Sequence, residues 1–194
     1  MTVGASVDIG RAAGRRRGKT RRRALAILVG GGVVMAVIAV PGWLGGLRIN
    51  LTPSEPLGLW RIVPLDRPAA IGDLVFICAP PGPVLAFGLE RGYFRRGSCP
   101  GGAAPLIKTV AALAGSRIEV GTDVVIDGAA LPRSKLIIRD GAGRALTPWT
   151  GGIVPAGQIF VHSPFAGSYD SRYFGPIPDA GLLGLASPIL TVHP

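Results

Sequence analysis

The sequence predicts a mostly β domain behind a single N-terminal transmembrane helix. Three observations carry that prediction. Residues Ala24 to Leu47, "ALAILVGGGVVMAVIAVPGWLGGL", contain no charged side chain. Short β-branched runs then recur between turn dipeptides, with no long segment of 3.6-residue apolar period. The chain also holds 30 Gly and 18 Pro, which suits a loop-rich β body and not a helical bundle.

In chain order, residues 1–23 form a basic cytoplasmic tail. Eight Lys or Arg stand there against one acid, Asp8, whereas the remainder carries 13 basic and 10 acidic side chains. Of the net charge of +10, +7 belongs to the tail and +3 to the rest, so the basic character is a property of the tail and the body is not a polyanion-binding surface. No nucleic-acid partner is expected. Cations beside an apolar span more often set topology and contact anionic lipid.

Residues 24–47 are long enough to span a bilayer, which takes about 20 apolar residues. Gly30 to Gly32 and Pro41 are tolerated in such spans, and Trp43 suits an interfacial ring. A cleaved signal is the alternative, but the run exceeds the usual core of about 7 to 15 residues. The positive-inside rule keeps the tail in the cytoplasm and exports residues 48–194.

In the exported body, strands are expected at "LVFI" (74–77), "RIEV" (117–120), "DVVIDG" (123–128), "KLIIRD" (135–140) and "QIFVHS" (158–163). Asp127-Gly128 and Asp140-Gly141 are hairpin dipeptides. Cys78 and Cys99 are the only cysteines. In an oxidising compartment they read as one disulfide across a Gly-, Pro- and Arg-rich loop that would be floppy without it; two free thiols are the alternative. With only two histidines besides, far apart at 162 and 193, no metal site and no cofactor are called for.

Three stretches could carry chemistry. In "NLTPSEPLGLW" Ser54 lies between Pro53 and Pro56, which hold Thr52 and Glu55 out of helix; taken alone, the motif reads as a linker. In "APLIKTVAAL" Lys108 is surrounded by apolar residues. Buried, its amine would lose its proton readily and could act as a base; on the outer face of a half-buried strand it would be an ordinary solvated cation. "SPFAGSYDSRYFGPIP" concentrates Ser168, Tyr169, Asp170, Ser171 and Arg172 between glycines, which fits either a hydrogen-bonded loop closure or a site. A Ser-His-Asp triad is disfavoured, because His193 is penultimate and His162 falls in an apolar strand pattern.

Taken in order, "TPSEPLG", "IGDLVFI", "LIKTVAALAGSRIEV" and "GSYDSRYFGPI" resemble the conserved boxes of the type I signal peptidase family, peptidase family S26, and most closely its conjugative-transfer branch. The resemblance covers nearly all of residues 40–190. It implies a signal-peptidase-like β-fold and a serine endopeptidase with Ser54 as nucleophile and Lys108 as general base. Thr52 matches the hydroxyl that helps form the oxyanion hole, Ser168 the hydroxyl that orients the lysine, and Asp170 and Arg172 the pair bracing the last box. Implied partners are a membrane-bound precursor, a conjugative pilin in that branch, together with the lipid bilayer and a conjugation or type IV secretion apparatus. The implied location is the inner membrane, single-pass, with the catalytic domain on the periplasmic side.

Thr109 and Ser163 stand where most of the family has an Arg and Asp pair, and Ser116 replaces another Asp. These departures point to a specialised relative over a general signal peptidase. A non-catalytic subunit of a transfer complex is a further alternative, as is a soluble self-cleaving repressor, which the apolar run argues against.

Overall fold

The computed structural model describes residues 9–192; the side chains before Arg21, and those of residues 38, 41 and 43, lie outside the described residues. The expectations for Pro41, for Trp43 and for most of the basic tail therefore fall outside them. The chain divides into two units, residues 1–45 and 46–194.

The first unit is a helix, α1 (Ile9–Leu44), that runs from the basic segment into the apolar one. It ends three residues short of the expected end of the span, and Leu47 is already in a strand. Its described apolar side chains, among them Leu25, Ile27, Leu28, Val33, Val34 and Met35, are all exposed. Among the described residues, no helix is long and apolar enough to cross a membrane.

The second unit is built on two antiparallel sheets. Its elements in order are β1 (Leu47–Asn50), β2 (Leu57–Val63), β3 (Leu74–Ile77), α2 (Pro83–Glu90), β4 (Leu106–Ala112), β5 (Arg117–Val120), β6 (Val124–Ile126), β7 (Ala129–Ala130), β8 (Gly152–Ile153), β9 (Gln158–His162), α3 (Ser171–Phe174), β10 (Ile177–Pro178) and β11 (Leu182–Val192). The larger sheet has the order β1-β2-β11-β3-β4-β9-β10 and the smaller one β7-β6-β5-β8.

Side-chain alternation explains how the central strands β3, β4 and β9 of the larger sheet are buried on both faces. In β9, Ile159 and Val161 join Val75, Ile77, Val110 and Ile177 in one apolar cluster, while Phe160 between them joins Ala112, Ile118, Val124 and Val154 in another. In β3, Val75 and Ile77 face the first cluster and Phe76 packs with Trp60, Ile107 and Ala186. β4 lies between β3 and β9, in the interior of the sheet.

The strands expected at 74–77, 117–120 and 158–163 form, and Asp127-Gly128 makes its turn between β6 and β7 with positive φ at both residues. Segment 135–140 does not become a strand. Only Arg139 bridges, to Ala145, and Leu136 packs against the second cluster from an irregular segment. β2 and β11 were not foreseen. They approach so closely that a Cβ on Gly58 would lie 2.2 Å from the Leu190 carbonyl oxygen, with Gly58 at φ +131°.

Cys78 and Cys99 are joined, and the segment between them is less loose than its composition suggests. α2 occupies it, with a Pro in its first turn and Leu85 and Gly88 buried. Phe87, Tyr93, Phe94 and Tyr169 stack around it with centroid separations of 4.9 to 6.0 Å. The disulfide spans a separation of 21 residues, so its loss is expected to destabilise the body by about 3 kcal/mol. The check is a urea midpoint for the full chain in detergent, with and without reductant; an unchanged midpoint would assign the ordering of this segment to its aromatic packing alone.

Candidate active site

The loop between β1 and β2 carries Ser54, and Asn50 organises it. Asn50 Nδ2 donates to the carbonyls of Thr52, Glu55 and Pro56 at 2.9 to 3.0 Å. Its Oδ1 accepts from the Thr52 N–H at 3.1 Å and from the Thr52 hydroxyl at 2.7 Å. At the far end the indole of Trp60, buried at the start of the sheet, donates to the Pro56 carbonyl at 3.0 Å. The proline-bounded serine is thus held by side chains at both ends of its loop.

A long-range bond ties the same loop to the last box. The Ser163 hydroxyl donates to the Ser54 carbonyl at 2.5 Å. Ser163 stands where most relatives were expected to have an acid, so this departure supplies a neutral brace for the serine loop. The other departure, Thr109, is the register partner of His162. His162 is buried, its Nε2 has no hydrogen-bond partner among the described residues, and burial holds its pKa below the ordinary value, so it stays neutral.

Lys108 is only 3 % exposed because β4 lies between the buried strands β3 and β9 in the interior of the larger sheet. Of the two sequence readings, the structure selects burial. Desolvation pushes the amine's pKa down, Asp170 and Glu55 oppose that shift, and Arg172 reinforces it. Nζ donates to Ser168 Oγ at 2.9 Å, which fixes the amine's position.

Ser168 is held by the Asp170–Arg172 pair, both fully buried. Arg172 Nε and Nη2 donate to the two carboxylate oxygens at 2.8 and 2.9 Å. Nη2 also donates to the carbonyls of Phe165 and Ser168, and Nη1 to that of Lys135. Asp170 in turn caps α3, accepting from the Arg172 N–H, and accepts from the Ser163 N–H at 3.1 Å. The pair therefore sets both the Ser168 loop and the strand end that carries Ser163.

Thr52, Ser54, Lys108 and Ser168 all line one cleft of about 620 Å³. The Ser54 and Thr52 hydroxyls are 3.5 Å apart. No hydrogen bond joins Ser54 to Lys108 among the described residues; unliganded sites commonly show such contacts long or misaligned. Glu55, half-buried and next in sequence to Ser54, was not singled out from the sequence. Burial raises its pKa against the pull of Lys108, and its Oε1 has no hydrogen-bond partner among the described residues. Asn50 was also missed, although a polar residue ending a strand before a Thr-Pro turn is a recognisable loop-bracing signal.

Comparison with known proteins bears on the whole of this arrangement. A family profile described as "Signal peptidase, peptidase S26" matches residues 21–191. The chain is 58 % identical over 182 residues to the "Probable conjugal transfer protein TraF" of Sinorhizobium fredii, covering 93 % of this chain and 94 % of that one. It is 57 % identical to the "Conjugal transfer protein TraF" of Agrobacterium tumefaciens, covering 89 % and 98 %. A "Plasmid transfer protein TraF" of Escherichia coli is 33 % identical, covering 85 % and 94 %. The crystal structure of a signal peptidase I from Enterococcus faecalis superposes with a TM-score of 0.38 at 19 % identity, over 61 % of this chain and 97 % of that one. The assignment rests on the sequence matches: the protein whose Ser54, Lys108 and Ser168 share this cleft belongs to the signal peptidase S26 family.

Proposed function

We propose that the protein is a membrane-anchored serine endopeptidase in which Ser54 and Lys108 form the catalytic dyad, and that it matures a precursor for conjugation, a pilin as the resemblance of its motifs to the conjugative-transfer branch implies. The observation that carries this reading is the buried Lys108 amine, favoured neutral and oriented by Ser168 in the cleft that holds Ser54. What supports the anchor is the uncharged part of α1 after Arg23, whose described apolar side chains are exposed, since such a segment belongs either in a core or in lipid.

Neutral Lys108 takes the Ser54 hydroxyl proton as Oγ attacks the scissile carbonyl, and an acyl-enzyme forms. The proton then passes to the leaving amine. The Ser54 N–H supplies one oxyanion donor, and the Thr52 hydroxyl supplies the second once it turns from Asn50. Water or an amine of the substrate itself resolves the acyl-enzyme, giving a linear or a cyclic product. The test is intact mass of a co-expressed candidate pilin precursor with the native chain, Ser54→Ala and Lys108→Ala. Loss of processing in both variants supports the dyad, and a product lighter by one water reveals cyclisation. Unchanged processing in either removes that residue from the mechanism.

Three further outcomes are expected. Asn50→Asp replaces the donor to three loop carbonyls with a carboxylate, so it should lower kcat by about 10²-fold through a displaced nucleophile. Thr52→Val, with the loop intact, should lower it without raising KM, and a larger loss than in Asn50→Asp would give Thr52 the greater role. Glu55→Gln removes an acid that favours the Lys108 ammonium, so the alkaline rise of kcat/KM should move to lower pH. A profile that stays in place would remove Glu55 from the field at the lysine.

A further inference from the structure

The cleft around Ser54 carries charge of one sign. Arg95 and Arg96 line it, and its lining contains no aspartate or glutamate. Arg95 and Arg96 are exposed, and neither guanidinium has an ion pair or hydrogen-bond partner among the described residues. Arg67, by contrast, pairs with Asp73, and Arg91 and Arg144 both pair with Asp140, whereas Arg61, Arg117 and Arg133 are exposed and unpaired among the described residues but do not line the cleft.

The backbone beneath the two arginines is fixed. Arg96 bridges Ala103, the Ala104 N–H donates to the Arg95 carbonyl at 2.7 Å, and the Gly97 N–H donates to the Gly102 carbonyl at 2.9 Å. This ribbon is closed so tightly that a Cβ on Gly97 would lie 2.5 Å from Ala104 Cα. Phe94 buries its ring on one side, and the Cys78–Cys99 bond tethers the other. The guanidinium groups are thus presented from an ordered platform that leads directly into β4 and Lys108, so a bound anion loses little to reorganising the backbone.

We propose that Arg95 and Arg96 form an acid-selective subsite, which binds a glutamate, aspartate or terminal carboxylate of the peptide substrate at a distance from the bond that Ser54 attacks. This rests on the peptidase reading and names the substrate class that reading lacks. Ala103, the register partner of Arg96, precedes Lys108 by five residues, about 16 Å of extended chain. The acid therefore lies about three to five residues from the scissile bond. Planar guanidinium forks suit a carboxylate bound by two parallel hydrogen bonds. An anionic membrane surface is the competing ligand, but the pair lines the same cleft as Ser54 and Lys108, along which a peptide reaching the serine would lie.

The test uses the full chain carrying Ser54→Ala, in neutral detergent, so that binding is read without turnover. Alanine-based peptides of about nine residues carry a single Glu, or its isostere Gln, moved one position at a time. At one or two adjacent positions the Glu peptide should bind about fivefold more tightly than the Gln peptide, and the contrast should shrink as salt shortens the Debye length from about 8 Å. It should vanish in Arg95→Gln/Arg96→Gln, with the single variants dividing it between the two residues. Equal binding of Glu and Gln peptides at every position, or a contrast that survives the double variant, overturns the proposal. So does a double variant that loses affinity for phosphatidylglycerol vesicles while its peptide contrast is unchanged; that result makes the pair a lipid contact. Cleavage of the same peptides by the chain with Ser54 intact is followed in parallel. Cleavage that depends on Ser54 but ignores the Glu sinks the subsite alone, whereas cleavage independent of Ser54 sinks the peptidase reading itself.

Discussion

Lys108→Met should abolish Ser54-dependent cleavage and at the same time stabilise the folded chain. The loss of activity follows from the removal of the base, a contribution of about 10²- to 10⁴-fold for general base catalysis. The gain in stability follows from burial. Lys108 is 3 % exposed, desolvation is the largest influence on its amine, and Met fills a similar volume with no charge to bury. The Ser168 hydroxyl loses one partner, which sets part of the gain back.

The pH dependence makes this prediction sharper. Because the folded-state pKa of Lys108 is depressed, the unfolded chain binds more protons between the folded value and the ordinary lysine value. Stability should therefore rise as pH increases through that window, and it should be lowest below the folded pKa, where the buried amine must carry its charge. In Lys108→Met this rise should be missing. Activity follows the same proton, since kcat/KM should climb with pH as the amine becomes neutral. Thermal melts and rates recorded across the same pH range check both curves. Matching stability curves in the two proteins would mean that the lysine is hydrated in solution and that its burial is not what tunes it.

The parts of this arrangement that were legible in the sequence are those whose signal is local. β3, β5 and β9 are compact β-branched runs with clear boundaries, and Asp127-Gly128 is a turn defined by two adjacent residues. β11 was missed because Gly184 and Pro188 interrupt it, and both are tolerated only since its register with β2 and β3 shifts around them. α2 was missed because its flanking glycines and prolines read as loop, whereas the disulfide and the aromatic ring cluster keep this short helix folded. Segment 135–140 shows the opposite error, a β-like run whose apolar residue finds its core without pairing. In the site, Ser54, Lys108 and Ser168 were named through the order of four motifs. Whether Lys108 was buried could not be read from its neighbours, because that depends on β3 and β9 flanking its strand. Asn50, Glu55 and Ser163 act through contacts that only the folded loop creates.

Asp170→Ala should be the most destabilising single substitution near the cleft. Asp170 and Arg172 are both fully buried, and their fork-shaped pairing leaves the guanidinium to satisfy three further carbonyls. Removing the carboxylate strands a buried cation and frees the N–H groups of Ser163 and Arg172, at a cost of about 3 to 5 kcal/mol. The damage should also spread to catalysis, because Ser168 orients Lys108 from the loop that Arg172 holds. Replacing both partners, as in Asp170→Leu/Arg172→Met, removes the stranded charge, so the double variant should recover part of the lost stability. It should not recover activity, since nothing then fixes the Phe165 and Ser168 carbonyls. Denaturant midpoints for the native chain, the single variant and the double variant, read beside cleavage rates, separate the two roles. A single variant that loses less than about 1 kcal/mol would place the pair in contact with water and leave the Ser168 loop supported by its own turn, the Ser168 N–H to Phe165 carbonyl bond.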